Sequence, residues 1–163
     1  MKMKGIIKEV ISKYGQGKMR YAVINIGKIP EAVDLNFREE FPSDESLKRY
    51  IEKMQMSTDT PYLDKALKKA KLLFEKSGRP NAIKIFVIIT DKKSASSSEL
   101  LSEKAKPLVN DGVRVIPVAL GPDSDVDELE RITPNKDNVL KFNSSSTPRD
   151  ITKVIMDKLL QGE

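Results

Sequence analysis

The chain contains no histidine, no cysteine and no tryptophan in 163 residues. Without cysteine there are no disulfides and no thiol nucleophile. Without histidine there is no imidazole base, and zinc sites built from either residue are excluded. Carboxylate, hydroxyl and lysine chemistry remain, together with hard cations bound through oxygen. No stretch approaches the roughly 18 apolar residues of a membrane span. The opening MKMKGIIK lacks the unbroken apolar core of a signal peptide. These absences lead to the expectation of an intracellular protein or a domain excised from a larger one. The lack of cysteine bears little on compartment, because many extracellular domains have no bridge in their core. The excess of one charge sign is small as well. The balance of 29 Lys+Arg against 24 Asp+Glu leaves +5, which favours acidic partners but is far from a nucleic-acid signature.

What is present reads as one α/β domain over residues 1–163. Hydrophobic residues make up 39% and charged residues 33%, and the aliphatic positions are periodic. Ile6, Ile7, Val10, Ile11 and Tyr14 recur at helical spacing until Gly15 and Gly17. Segment 21–26 is a buried strand, and Val33, Leu35 and Phe37 alternate as a half-exposed strand paired antiparallel to it after a turn at Gly27–Pro30. Ser43 or Asp44 caps a helix carrying Leu47, Ile51 and Met54. A helix over 62–76 carries a stripe of Leu63, Ala66, Leu67, Ala70, Leu73 and Phe74. The run 83–89 is the most apolar of the chain and predicts a central parallel strand ending at Thr90-Asp91. Ser97 or Ser98 opens the next helix, in which Pro107 predicts a kink or an early end. A strand over 113–120, a short helix with Val126, Leu129 and Ile132, and a strand over 139–142 follow. Thr147-Pro148-Arg149-Asp150 starts the final helix with a cap, a proline at its first position and a carboxylate at its third. About five strands alternating with six helices argue for a doubly wound, mostly parallel sheet with one antiparallel edge strand and helices on both faces.

Ligands of open parallel sheets bind at the carboxyl ends of the strands. The polar candidates there are Asp91, Lys92, Lys93 and Ser94, the loop residues Thr58, Asp59 and Thr60, and the trio Asp123, Asp125 and Asp127. Asp91 with a loop threonine offers two oxygens to a divalent cation such as Mg²⁺. The plainer reading is that Asp91 ends a strand and the threonines cap a helix. Asp123-Ser124-Asp125-Val126-Asp127 lacks the glycine and glutamate of a calcium loop and reads as a helix N-terminus. The glycines form neither nucleotide-binding pattern. Lys65, Lys68, Lys69 and Lys76 lie off the apolar stripe of their helix, as a solvated face or as a contact for heparin-like polyanions. Asn143-Ser144-Ser145 is a glycosylation sequon of the kind that also arises by chance. No constellation for catalysis is visible. Asp91 and Lys92 are adjacent at a strand end and point to opposite sides.

Taken in order, these segments resemble a von Willebrand factor type A domain, the integrin I-like fold. Residues 21–26 and the alternating 33–37 are similar to the family's second strand and short antiparallel third strand. Thr58-Asp59-Thr60 followed by Asp64-Lys65-Ala66-Leu67 resembles its threonine loop. The run from Ile85 through Thr90-Asp91-Lys92-Lys93-Ser94 is similar to its "VVITDGxS" strand. Val113 to Pro122 with Glu128 to Ile132 is similar to "GVxVxxVGVG…ELxxIA". Family members open with a central strand ending in Asp-x-Ser-x-Ser, which supplies three ligands of the metal-ion-dependent adhesion site. That strand has no counterpart among these residues, Lys92 replaces a glycine, and Pro61-Tyr62 alters the threonine loop. The resemblance therefore implies a Rossmann-like variant without the first strand. Its adhesion site is incomplete: Thr58 or Thr60 is the loop threonine, and Asp91 is the aspartate behind the metal. A cation held by Asp91 and Thr58 alone is a weak remnant, and Mg²⁺ is expected only if the missing motif is supplied upstream. The two strands flanking the missing one are expected to pair directly, giving a five-stranded sheet.

The resemblance further implies a non-enzymatic, extracellular protein-binding or adhesion module that belongs to a larger protein. Its partner, such as collagen or another matrix protein, is expected at Thr58, Thr60, Asp91 and Ser94. The alternatives are a self-associating matrix domain and a glycosaminoglycan contact at the lysine face. Neither nucleic acid nor a membrane span is expected.

Overall fold

The computed structural model describes residues 2–17, 19–26, 32–37, 39–57, 59–77 and 79–160. Helix α1 (Lys2–Tyr14) buries Ile6 and Ile11. It stops where Gly15 adopts φ 66°, a left-handed turn that strains any side chain, with its N–H donating to the Ile11 carbonyl at 2.8 Å. Strands β1 (Val23–Asn25) and β2 (Ala32–Leu35) pair antiparallel, Val23 opposite Leu35. The turn expected at Gly27–Pro30 lies outside the described residues. Helix α2 (Asp44–Lys53) is capped by the Ser43 hydroxyl, which accepts from the Ser46 N–H at 3.1 Å.

Helix α3 (Leu63–Glu75) turns Leu63, Ala66, Leu67 and Ala70 inward. Strand β3 (Ile85–Thr90) starts later than its apolar run. Ile83 lies before it and is 78% exposed, because the ladder to the next strand opens only at Ile85. Helix α4 (Ser98–Asn110) continues through Pro107 instead of ending there. A proline in the last turn removes a single N–H from the ladder, and Leu101, Ala105 and Leu108 hold the helix by burial. Strand β4 (Arg114–Leu120) is followed by α5 (Val126–Glu130) and a 3₁₀ turn (Lys136–Asn138). Strand β5 (Leu140–Phe142) leads to α6 (Pro148–Leu160), whose first turn is capped by Thr147: its hydroxyl accepts from the Asp150 N–H at 3.2 Å.

The architecture is α/β with helices on both faces. Strands β3, β4 and β5 run parallel in that order, while β1 and β2 form a separate two-stranded sheet. The expected direct pairing of β1 with β3 does not occur among the described residues. The helix layers explain why. On one face α3 and α4 bury Leu63, Leu67, Leu101 and Leu108 against Ile88 and Val115, and Ile24 of β1 packs on the same cluster. On the other face Ile6 of α1 joins Ile151 and Ile155 of α6 over Ile116 and Val118. One turn and a half further along α1, Ile11 packs instead with Leu35, Leu47 and Ile51. Helix α1 thus spans both sheets, and each fully buried aliphatic side chain stabilises its position by about 1.5–3 kcal/mol. Closing β1 onto β3 would pull one of these clusters apart.

Candidate functional site at the carboxyl ends of the strands

Asn25, a polar residue ending an apolar strand, is 2% exposed. Its amide donates to the Gln55 carbonyl at 2.5 Å, and its oxygen accepts from the Ser57 N–H at 3.1 Å. Those bonds tie the end of β1 to the loop that leads into α3. The same loop is held from the β3 side. The N-cap position of α3 is Tyr62, whose side chain makes no capping bond. Ser94 supplies one from beyond β3, its Oγ accepting from the Leu63 N–H at 3.1 Å and lying 3.2 Å from the Pro61 carbonyl. The Ala95 N–H donates to that carbonyl at 2.9 Å. The Ser96 hydroxyl donates to the Asp64 carboxylate in the first turn of α3.

A third loop joins this frame. The Ser94 N–H donates to the Glu128 carboxylate of α5 at 2.7 Å. The Ser124 hydroxyl donates to the carbonyl of Thr90 at 3.0 Å. Glu128 is 4% exposed. Burial pushes its carboxyl above the usual carboxylate range and Asp125 adds to this, while the Ser94 N–H and Lys93 act the other way. Asp125 caps α5 through the Glu128 N–H at 3.3 Å and pairs with Lys93 at 3.5 Å, as expected of a helix N-terminus.

The rim so formed brings several expected residues together. Asp91 and Thr60 are exposed on adjoining loops. Ser94 is 6% exposed, its hydroxyl engaged with the backbone. Thr58 lies outside the described residues. Glu128, Asn25, Asp64 and Ser96 were not singled out from sequence as site residues. A buried asparagine at the end of an apolar strand was the available signal for one of them; the others depend on contacts more than 30 residues apart. The donor set does not fit a tightly held divalent cation. Among the described residues no group of three or more carboxylates could hold a metal ion, and Asp64 and Glu128 already accept hydrogen bonds from serines.

The lysine face is in place along α3. Lys65, Lys68 and Lys76 are exposed and Lys69 is half-buried, with the Lys65 ammonium 4.6 Å above the Tyr62 ring. Lys71 is engaged with Glu75 at 2.8 Å and Asp111 at 2.6 Å.

A family model described as the von Willebrand factor type A domain matches residues 1–155. Among solved structures, proximal thread matrix protein 1 from the mussel byssus, in a form with a zinc-occupied MIDAS motif, superposes with a TM-score of 0.82 at 24% identity. The match covers 96% of this chain and 41% of that protein, so this chain spans less than half of its length. A von Willebrand factor type A structure from Catenulispora acidiphila gives 0.72 at 19% identity over 97% of this chain and 37% of that one. The SpRpn10 VWA domain gives 0.69 at 10% identity over 94% and 79%.

Proposed function

Because the chain belongs to the von Willebrand factor type A domain family, we propose that it is a non-enzymatic recognition module that binds a protein partner through the rim bearing Thr60 and Asp91. Thr58 belongs to the same loop by sequence, and Ser94 bonds the loops together. The observation that carries this reading is the bonding of three loops into one frame by Ser94, Pro61 and Glu128. A preorganised rim loses little conformational entropy when a partner docks, which is what a binding surface requires. The donor set supports recognition by surface complementarity and not through a resident metal. The likeness to a byssal thread matrix protein suits an extracellular setting, and a matrix partner such as collagen is part of the proposal; the likeness to the SpRpn10 domain has no such implication.

The test is binding to immobilised fibrillar collagen with and without EDTA. Saturable binding that survives the chelator and is weakened by Asp91→Ala supports the proposal. Chelator sensitivity would contradict the metal-independent part of it. The exposed Lys65, Lys68 and Lys76 favour a second reading, a glycosaminoglycan contact along α3. Heparin retention that falls steeply with salt, and falls further in a Lys65→Ala/Lys68→Ala variant, would support that contact.

A further inference from the structure

We infer that the amino-terminal half of β4 takes up an extended acidic peptide from a protein partner by strand addition. This edge lies at the opposite end of the strands from the rim proposed above and does not depend on it. The Arg114 N–H donates to the Lys84 carbonyl at 2.9 Å, and the Gly121 N–H donates to the Phe142 carbonyl at 2.8 Å. Successive residues of a strand turn their backbone groups to opposite edges. Even-numbered residues of β4 therefore bond to β3, and odd-numbered ones face the side of β5. Strand β5 pairs only with Val118 to Leu120. The ladder stops there for a local reason: the next odd-numbered residue is Pro117, which has no N–H to offer a longer β5. Beyond it the Val115 N–H and C=O and the Val113 C=O point out of the sheet edge. Among the described residues none of these three groups has a hydrogen-bond partner.

A cavity of about 430 Å³ lies along this edge, within the range of ligand pockets. At the rise of an extended chain, residues 113–117 span about 13 Å, which suits a peptide of about five residues. The segment before β5 turns aside as the 3₁₀ helix Lys136–Asn138 instead of running along β4. Asn135 and Asn138 line the cavity from that side.

The walls set the chemistry of the occupant. Val113 and Val115 turn into the cluster shared with α4, whereas Ile116 turns into the one shared with α6. On the α4 side Val109 and Val113 make an apolar wall, and on the α6 side stand Arg114 and Lys158. No aspartate or glutamate lines the cavity among the described residues. The Arg114 guanidinium donates one N–H to the Lys158 carbonyl at 3.2 Å, which fixes it at the end of α6. Its remaining N–H groups are donors for a carboxylate. An added strand alternates its side chains between the two walls, so the peptide that fits has apolar residues toward α4 and acidic ones toward α6. Main-chain bonds to Val113 and Val115 supply the rest, as in strand addition generally.

The experiment uses the full chain and a synthetic peptide Val-Glu-Val-Glu-Val, blocked at both ends, with amide exchange followed residue by residue by NMR. The expected result is saturable binding that slows exchange of the Val115 N–H by roughly tenfold or more and weakens steeply with salt. Lys158→Gln, which keeps the carbonyl that Arg114 holds, should weaken binding several-fold, and Val-Lys-Val-Lys-Val should give no protection. Four outcomes would overturn the inference. The first is a Val115 N–H that exchanges as slowly as the Ile116 N–H in the peptide-free monomer, which means that the edge is already satisfied. Equal protection by the lysine peptide marks apolar adsorption. The same protection from free glutamate marks an anion pocket without an added strand. Protection that appears without peptide and grows with protein concentration assigns the edge to a second copy.

Discussion

Strands β3 and β4 are neighbours with nearly the same chemistry and different burial. From Val115 to Leu120 every residue of β4 is buried, whereas in β3 only Ile88 and Thr90 are. The sequences IFVIIT and RVIPVAL do not account for this, since β3 is if anything the more apolar. The difference lies in the neighbours. Among the described residues, strand β4 has β3 along one edge and β5 along part of the other, and β3 pairs with β4 alone. In a parallel sheet a side chain is shielded by the helices above it and by side chains of the flanking strands, so a strand paired along both edges is the better buried.

The sharpest way to break this comparison is a matched pair of truncations. Ile116→Ala in β4 should lower the unfolding free energy by about 2–5 kcal/mol. Ile89→Ala in β3 should cost less than half as much, because part of its side chain already meets solvent; equal losses in urea denaturation would show the two strands to be equally enclosed. Next in size is Ser94→Ala, which strips the Leu63 N–H of its acceptor at the junction of the β3 and α3 loops. It should cost about 1–3 kcal/mol, with faster amide exchange at the start of α3 and little change along β4. Thr147→Ala removes the cap of the helix that covers β4 and should cost about 1 kcal/mol. Exchange that loosens β3 more than α6 and β4 would reverse the assignment of that helix.

The smallest effect concerns Glu128, which ties the end of β4 to the loop after β3. Its carboxyl is raised above its unfolded value by burial, so the folded chain holds the proton more tightly. The stability it contributes is complete below the ordinary carboxylate pKa and declines as pH rises through the raised folded value. Glu128→Gln keeps an acceptor for the Ser94 N–H and removes the titration. Thermal midpoints between about pH 4 and 7 should therefore fall less with rising pH in the variant; parallel curves would refute the burial argument.

Local features were legible because they are decided within one or two turns. The stripe of α3, the Thr147 cap of α6, a helix N-terminus within 123–127 and a cap of α2 at Ser43 or Asp44 each follow from residue spacing and appear, with Asp125 and Ser43 as the capping residues. Where the reading went astray, the deciding partner was distant. Ile83 fell outside β3 because Arg114 opens the ladder one residue after Lys84. Pro107 stayed inside α4 because the helix is held by burial on its inner face. Of the candidate site, Asp91 and Thr60 are exposed on loops that Ser94 and Pro61 bond together. Ser94, legible as a polar strand-end residue, has a bonding role that only the fold reveals, since its hydroxyl meets a backbone N–H 31 residues away.

The sequence by itself determined the alternation of helices and strands and the resemblance to the von Willebrand factor type A family. It also excluded imidazole and thiol chemistry. These rest on periodicity, capping and composition, which act locally or by count. Only the tertiary structure decided that β1 and β3 are not paired among the described residues, that three loops are bonded into one rim, and that the most apolar strand of the chain is not the most buried. Those outcomes depend on which clusters α1 and α3 can satisfy at once, and no single segment carries that information.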